Sequence, residues 1–334
     1  MHVRLLEAGR LWLSHFKQVD DMNTVPIVFA FDNNLVFPAC VCLSSLMMSA
    51  KDTTFYDIFI LYPASDGLER REIDRVQEFY SNCRIQYIAV DDIFAGAYEI
   101  RGITTPAYYR LLIPELIPQY EKILYSDVDV LFRRDLSELL EWELDKDYLA
   151  AVYDWSIVID KSGQKYAQNE LHLSSNEYIQ SGFLLINAKQ MRKDGLVERF
   201  KEEARKKYKF QDQDILNVVC GAHKMILPFW WNMTNYAFQY WNDRHEAMQG
   251  GYTDTEIESQ SINSNLHYNG QKPWQGWCIN FDIWWEYYRK SPFFDEKFYF
   301  DFFYNKMNEH DQLPLWKRVK ILLRYFVIGR QQSR

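Results

Sequence analysis

Two kinds of segment alternate along the chain from about residue 25 to residue 230. Short runs rich in β-branched and aromatic residues predict buried strands, among them PIVFAFD (26–32), YDIFILYP (56–63) and RIQYIAVD (84–91). Segments with helical spacing lie between them, such as PACVCLSSLMMSA (38–50), where the helix is predicted to open at the proline. Strands that alternate with helices are typical of a layered α/β sheet.

The same alternation continues into the second half of the chain. KILYSDVDVLF (122–132) and YLAAVYD (148–154) predict strands separated by a helix at DLSELLE (135–141), and AYYRLLIPELIP (107–118) predicts a helix interrupted by its prolines. GFLLINAKQM (182–191) predicts a central strand that leads into a helix, and FQDQDILNVVCG (210–221) predicts a helix with a polar entry. Beyond residue 230 the chain is rich in Trp, Asn, Tyr and Gly, and the weak periodicity predicts loops that build or cover a site.

Two carboxylates interrupt the apolar run KILYSDVDVLF. Side chains two positions apart on an extended segment point to the same face, so Asp127 and Asp129 are expected side by side at the end of a buried strand. Burying unpaired carboxylates costs several kcal/mol each, and a divalent cation offsets that cost. Asp32 and Asp154 also end predicted strands, where a lone Asp serves equally well as a helix cap or turn former.

The choice of metal depends on whether an imidazole joins the carboxylates. Hard carboxylate ligands favour Mg²⁺, Mn²⁺ or Ca²⁺, and an added imidazole moves the preference toward Mn²⁺. The candidate imidazole is His267 in NLHYNGQKPWQGW (265–277). Gly270 there permits a close backbone turn, Lys272 offers a point charge for phosphate, and Trp274 and Trp277 offer stacking faces for a sugar.

Composition narrows the class of protein. The 334 residues, 48% hydrophobic and 25% charged, are typical of a soluble globular protein, and the net charge of −8 argues against a nucleic-acid partner. The five cysteines are odd in number and lack paired spacing, which favours a reducing compartment. Apolar runs are too short for a membrane span and the first residues lack the features of a signal peptide, so we expect a cytoplasmic protein.

The C-terminal segment is basic, although the chain as a whole is acidic. No acidic residue occurs from Gln312 onward, whereas basic residues interleave there with apolar ones. The segment 313–334 is therefore predicted either to lie on the anionic inner face of a membrane or to pack on the body with a solvated basic face.

Five motifs occur in a fixed order along the chain. They are ITTPAYYRLLIPE (103–115), SDVDVLF (126–132), YIQSGFLLIN (178–187), FQDQDILN (210–217) and HYNGQKPW (267–274). Together they resemble glycosyltransferase family 8, which includes bacterial lipopolysaccharide galactosyl- and glucosyltransferases and glycogenin. The resemblance covers about residues 25–290.

The resemblance implies a GT-A type, Rossmann-like nucleotide-sugar-binding fold with a mixed central sheet and a helical C-terminal extension. It implies a retaining hexosyltransferase that moves glucose or galactose from a UDP-hexose to a saccharide or lipid-linked saccharide acceptor, with Mn²⁺ or Mg²⁺ as cofactor. The chain then divides into an N-terminal extension (1–24), a GT-A catalytic domain (25–274) and a helical extension (275–334) with the basic amphipathic tail.

Site residues carry over from the family motif by motif. The metal ligands are expected to be Asp127, Asp129 and His267. The donor-binding residues are expected to be Ala30, Asp32, Asn34, Arg110, Gln180 and Lys272, and the catalytic group Asp212, Gln213 and Asp154. Asp212 is the candidate nucleophile if retention proceeds through a covalent intermediate, and front-face attack assisted by the departing phosphate is the other route.

Two departures from the family pattern concern the donor site. The family usually has Asn at the position of Gln180, and its H-x-x-G-x-x-K-P-W motif is one residue longer than the segment that contains Lys272. The distance that each side chain must span is therefore expected to differ from the family's.

Three other functions fit the sequence less well than glycosyl transfer. A sugar nucleotidyltransferase usually carries a Gly-rich phosphate loop after its first strand, and AFDNNLVFPA (30–39) contains no glycine. A non-catalytic protein that binds glycans or nucleotide sugars would be expected to have lost metal or donor residues. A calcium loop opening at Asp127 fails because Leu131 and Phe132 stand where an oxygen ligand and a glycine are needed.

Overall fold

The computed structural model describes residues 23–91, 93–94, 105–244 and 253–324. Its strands are β1 (Asn23–Ala30), β2 (Thr54–Pro63), β3 (Cys83–Val90), β4 (Lys122–Ser126), β5 (Val130–Leu131), β6 (Leu149–Tyr153), β7 (Ile179–Asn187), β8 (Lys224–Ile226), β9 (Met233–Thr234) and β10 (Leu266–His267). Seven of them form the central sheet in the order β3-β2-β1-β4-β7-β6-β8, and β5-β10-β9 form a smaller sheet.

The central sheet is mixed. Strands β1, β2, β3 and β4 run parallel, whereas β7 runs antiparallel to its neighbours β4 and β6. The carboxyl ends of β1, β4 and β6 and the amino end of β7 therefore meet at one edge of the sheet. In open α/β sheets this edge is where ligands bind.

Helices cover both faces of the sheet. They are α1 (Val36–Ser49), α2 (Arg71–Phe79), α3 (Ile113–Leu116), α4 (Trp155–Ile159), α5 (Lys161–Glu170), α6 (Ala188–Lys193), α7 (Leu196–Glu203), α8 (Gln211–Cys220), α9 (Asn235–Arg244), α10 (Asp254–Ser261), α11 (Phe281–Lys290), α12 (Glu296–Asp311) and α13 (Leu315–Arg324). Short 3-10 helices span Asn33–Leu35, Thr105–Leu112, Ser137–Glu141, Ser175–Glu177 and Phe229–Trp231.

The core is divided in two by the sheet because successive strand residues face opposite sides. Ile27 and Phe29 of β1 pack in the layer that contains α1 and α11. Val28, between them, packs in the layer that contains Thr105–Leu112 and α8. Buried residues on both faces explain why β1 reads as a continuous apolar run, and they confirm the predicted α/β layers.

Three predicted helices differ in their details. The helix predicted to open at Pro38 begins two residues earlier, at Val36, after the 3-10 turn Asn33–Leu35. DLSELLE forms only a 3-10 helix, Ser137–Glu141, and Asp135 ahead of it accepts a hydrogen bond from the Ser137 backbone N–H at 2.9 Å. The segment around Arg110 is a 3-10 helix, Thr105–Leu112, which continues into α3.

The prediction of loops beyond residue 230 is wrong for much of that segment. Helices α9 and α10 occupy part of it, whereas α11 to α13 confirm the helical C-terminal extension that the resemblance implies. In α11 the buried residues Phe281, Trp284, Trp285 and Tyr288 have the spacing of one helical face. Apolar neighbours on the other faces, such as Ile283, hide this period in the sequence. Of the described helices, none combines the length and apolarity that crossing a bilayer requires.

Candidate active site

A cleft of about 970 Å³ opens at the edge of the sheet where β1, β4 and β6 end. Eleven of the predicted site residues line it: Ala30, Asp32, Arg110, Asp127, Asp129, Asp154, Gln180, Asp212, Gln213, His267 and Lys272. Asn34 does not line it. This residue is exposed in the turn after β1, where its backbone N–H donates to Asp32 Oδ1 at 2.9 Å.

Asp127 and Asp129 lie in the turn between β4 and β5, and not on one extended strand as predicted. Strand β4 ends at Ser126, and the chain leaves the large sheet to join the small one at Val130. The Asp127 N–H donates to Gly182 O of β7 at 2.8 Å, and Asp129 O accepts from the Tyr268 N–H at 2.9 Å. These backbone bonds attach one acid to each sheet, and the turn brings both carboxylates to the same cleft.

His267 on β10 completes a group of three ligand atoms. Atoms from Asp127, Asp129 and His267 all lie within 4.8 Å of one another. His267 Nε2 is 3.2 Å from Asp129 Oδ1 and 3.8 Å from Asp127 Oδ2. Asp129 Oδ1 is buried, and none of the described residues donates a hydrogen bond to it. Because buried carboxylate oxygens are rarely left without a partner, this arrangement fits a divalent cation, and the mixture of imidazole and carboxylate suits Mn²⁺.

Lys272 also reaches this group. Its Nζ donates to Asp129 Oδ2 and to Tyr268 O, the latter at 2.6 Å. Burial alone would raise the pKa of Asp129, but the positive charge of Lys272 and the contacts with Lys272 and His267 outweigh it and hold that pKa below its usual value. Asp129 is therefore ionised at neutral pH, as a metal ligand must be.

Arg110 lies under the metal ligands and is almost fully buried. Its Nη2 donates to Asp127 Oδ1 at 2.8 Å, its Nε lies 3.2 Å from Asp212 Oδ2, and its Nη1 donates to Ser181 O at 2.7 Å. The guanidinium also packs over the ring of Tyr125, whose hydroxyl donates to Asp127 Oδ1 at 2.7 Å. Arg110 thus links the predicted metal site to the predicted nucleophile.

Asp212 stands at the start of α8 with little access to water. The Ser181 hydroxyl donates to Asp212 Oδ2 at 3.0 Å. Burial raises the pKa of Asp212 to about 6, although Arg110 opposes the shift. Gln211 just before it adopts a φ of 47°, an uncommon value for a residue with a side chain and one that clusters at functional sites.

The Gln213 amide is held from both ends. Its Nε2 donates to Asp154 Oδ2 at 2.9 Å and to the Tyr178 hydroxyl at 3.2 Å, and its Oε1 accepts from the Ser181 N–H at 3.1 Å. Asp154 is also the N-cap of α4, because its Oδ1 accepts from the Ser156 N–H at 3.0 Å. The Asp154 side chain therefore both caps a helix and lines the cleft.

Three residues that contact this site were not among the predicted ones. Ser181 contacts Asp212 and Arg110, Asn232 contacts His267, and Gly182 lies directly beneath the metal ligands. The sequence carries a weak signal for two of them. Gly182 interrupts a strand, which indicates close approach of another group, and Asn232 is a single polar residue in the aromatic run PFWWNMT.

Most of the chain matches the model of a known protein family. The family model described as glycosyl transferase family 8 matches residues 26–278. The chain belongs to glycosyl transferase family 8. The match covers all five motifs on which the resemblance rests, from ITTPAYYRLLIPE through HYNGQKPW.

Two curated proteins resemble this chain over most of its length. A lipopolysaccharide 1,2-glucosyltransferase of Escherichia coli is 26% identical over 271 residues, which is 78% of this chain and 76% of that protein. A lipopolysaccharide 1,2-glucosyltransferase of Escherichia coli strain K12 is 28% identical over 303 residues, covering 87% of this chain and 85% of that protein.

Solved structures similar to this chain include the galactosyltransferase LgtC in complex with donor and acceptor sugar analogs. It is 26% identical to this chain, with a TM-score of 0.65, over 82% of this chain and 99% of LgtC. The likeness confirms the GT-A type fold with its mixed sheet. A glycosyltransferase implies a nucleotide-sugar donor and a sugar acceptor, and the LgtC structure holds analogs of a donor and an acceptor sugar.

Proposed function

We propose that this chain is a retaining hexosyltransferase that uses a UDP-sugar donor and Mn²⁺, or Mg²⁺, at the Asp127, Asp129 and His267 site. The donor hexose is glucose or galactose, and the acceptor is a glycan or a lipid-linked oligosaccharide. The observation that carries the proposal is the buried oxygen of Asp129 that accepts no hydrogen bond within the described cleft and faces His267 Nε2.

The charges of the cleft suit the departure of a diphosphate. A divalent cation bound there supplies Lewis-acid stabilisation of the charge that develops on the leaving group. Lys272 lies beside Asp129 and adds a positive charge at the same place. Arg110 holds Asp127 in position, and it keeps positive charge next to the site.

Asp212 and Gln213 are the residues proposed to act at the sugar. Asp212 would attack the anomeric carbon in a double displacement, and its contact with Ser181 fixes the direction of the carboxylate. Gln213 and Asp154 would position the donor sugar. A glycosyl adduct on Asp212, detected by mass spectrometry, would support double displacement, and its absence during turnover would favour front-face attack.

The test is release of UDP from UDP-glucose and from UDP-galactose, with Mn²⁺ and with EDTA. We expect release from one donor, which EDTA abolishes and which falls at least about 100-fold in Asp129→Asn, because a metal ligand is lost. Asp66→Asn, in an exposed turn outside the cleft, serves as the control and should match the wild type. Absence of both release and donor binding in the wild type would contradict the proposal.

We also propose that helix α13 contacts an anionic membrane surface where a lipid-linked acceptor would be presented. Leu315 and Leu322, and likewise Trp316 and Leu323, are seven residues apart and exposed, so they share one face of the helix. Lys317 and Lys320 are exposed on the same helix and carry charge suited to anionic lipid.

Sedimentation with vesicles tests this contact. We expect the full chain to sediment with anionic vesicles and much less with neutral ones, and a chain ending at Gln312 or carrying Trp316→Glu to remain in solution. UDP release by each variant verifies that it is folded. Equal sedimentation of the full and shortened chains would contradict the proposed contact.

A further inference from the structure

Asn232 lies behind the predicted metal ligands and touches none of the carboxylates. It is fully buried, between Phe229–Trp231 and β9. Its Oδ1 is 3.0 Å from His267 Nδ1, and its Nδ2 donates to Gln180 Oε1 at 2.7 Å. Gln180 Oε1 also accepts from the backbone N–H of Gly182 at 2.7 Å.

The Gly182 N–H determines the orientation of the Gln180 and Asn232 side-chain amides. The oxygen and nitrogen of an amide side chain are assigned from their partners, whereas a backbone N–H is always a donor. The Gln180 atom that faces it must therefore be the oxygen. The Asn232 atom that faces this oxygen must be the nitrogen, because two oxygens at 2.7 Å would repel. Asn232 Oδ1 is thereby left facing His267, and it can only accept.

We propose that Asn232 is a positioning residue that keeps the proton of His267 on Nδ1. In the neutral imidazole the lone pair then lies on Nε2, which is the atom that faces Asp129 and Asp127. Metal-binding histidines generally donate their other ring N–H to a fixed acceptor, which sets both the tautomer and the orientation of the ring. Here the acceptor, Asn232, is oriented by the backbone amide of Gly182 through two hydrogen bonds, both to Gln180 Oε1.

The same hydrogen bonds limit which atom of Gln180 can contact a ligand. Its Oε1 is occupied by Gly182 and Asn232, so only Nε2 can extend toward a ligand in the cleft. The side chain predicted for donor binding therefore has a second task in the metal site. This inference rests on the proposed function only in naming a metal, since the tautomer is a property of the metal-free protein.

The tautomer can be measured directly by nitrogen-15 NMR of the metal-free protein. Long-range proton–nitrogen spectra recorded over a series of increasing pH distinguish the protonated from the unprotonated ring nitrogen. A spectrum of His267→Asn assigns the signals. We expect Nδ1 of His267 in the wild type to carry a proton throughout the series, and an unprotonated Nδ1 beside a protonated Nε2 would overturn the inference regardless of any variant.

Two variants at one position separate the hydrogen bond from packing. Asn232→Asp keeps an acceptor for the His267 Nδ1 proton and should keep that proton, although its second oxygen replaces the donor to Gln180 Oε1 and will displace that amide. Asn232→Leu removes the acceptor and should give signals of both tautomers. Mn²⁺ affinity, measured by titration with electron paramagnetic resonance, should fall at least about tenfold in Asn232→Leu. A folded Asn232→Leu variant with the wild-type tautomer and affinity would overturn the inference.

The two proposals fail in different ways. A wild-type protein with the proton on Nδ1 that binds no Mn²⁺ would overturn the metal-dependent function and support the role of Asn232. A wild-type protein that binds Mn²⁺ and has the proton on Nε2 in the metal-free state would do the reverse.

Discussion

Gly182 is the residue that allows the metal ligands to approach one another. A Cβ atom at this position would lie 2.3 Å from His267 Cε1 and 2.6 Å from Asp127 Oδ2. Real Cβ atoms do not come that close to other atoms, so His267 or Asp127 would have to move. The absence of a side chain is required here by packing against two ligands.

Gly182→Ala should therefore weaken metal binding. We expect Mn²⁺ affinity to fall at least about tenfold, with overpacking that lowers the free energy of unfolding by about 1–3 kcal/mol. Gly276→Ala is the matched control, because the nearest atom to its Cβ would be Lys306 Nζ at 3.9 Å. Wild-type Mn²⁺ affinity in Gly182→Ala, measured by titration, would show that the site relaxes without cost.

At this scale the sequence predicts residue types better than residue partners. Asp127, Asp129 and His267 stand out because buried acids and a histidine near a lysine suggest a metal, and the structure brings the three together. Ser181 and Asn232 do not stand out, because ordinary polar residues acquire their roles only from what folding places beside them. Asn34 shows the opposite case, since the resemblance points to it whereas the cleft is lined without it.

The elements of the first half follow from local pattern. Strands β1, β2 and β3 have strong apolar runs, and each occurs where the sequence predicts it. The prediction of one extended strand through SDVDVLF is wrong because the segment contributes to two sheets. Strand β4 ends at Ser126, and β5 pairs with β10 from a distant part of the chain. A register set by residues more than a hundred positions away cannot be read from a local period.

The helices near the C-terminus show the limit of periodicity itself. Helix α11 has a buried face, and Trp277, Phe302 and Phe303 from outside the helix pack around Phe281 on that face. Phe37 of α1 packs against Trp284 and Tyr288 with ring centroids 5.7 and 5.5 Å apart. The division of the chain at residue 274 stays a prediction.

Burial of the Asp212 carboxylate lowers the free energy of unfolding of the protein at neutral pH. Burial raises the pKa of Asp212 from 3.8 to about 6, so the folded chain binds this proton more tightly than the unfolded chain. The resulting contribution to stability is full below about pH 4 and is lost as the pH rises through about 6. A shift of about two pH units corresponds to about 3 kcal/mol.

Asp212→Asn should accordingly change the pH dependence of unfolding. The amide does not titrate, so we expect the variant to gain about 3 kcal/mol relative to the wild type between about pH 4 and pH 7.5. Chemical denaturation in EDTA measures the free energy of unfolding of both proteins at each pH, and Asp66→Asn, exposed, should show no such gain. A constant difference between wild type and Asp212→Asn would mean that Asp212 is ionised without penalty.

The sequence by itself determined the α/β layers, the acids that end strands, and the family, because these depend on local hydrophobic period and on motif order along the chain. Only the tertiary structure decided how β5, β10 and β9 form the second sheet, why Gly182 must lack a side chain, and which nitrogen of His267 faces the carboxylates. The physical reason is range: side-chain period acts over a few residues, whereas the contacts of the site join residues far apart in the chain, such as Asn232 with Gln180 and Asp129 with His267.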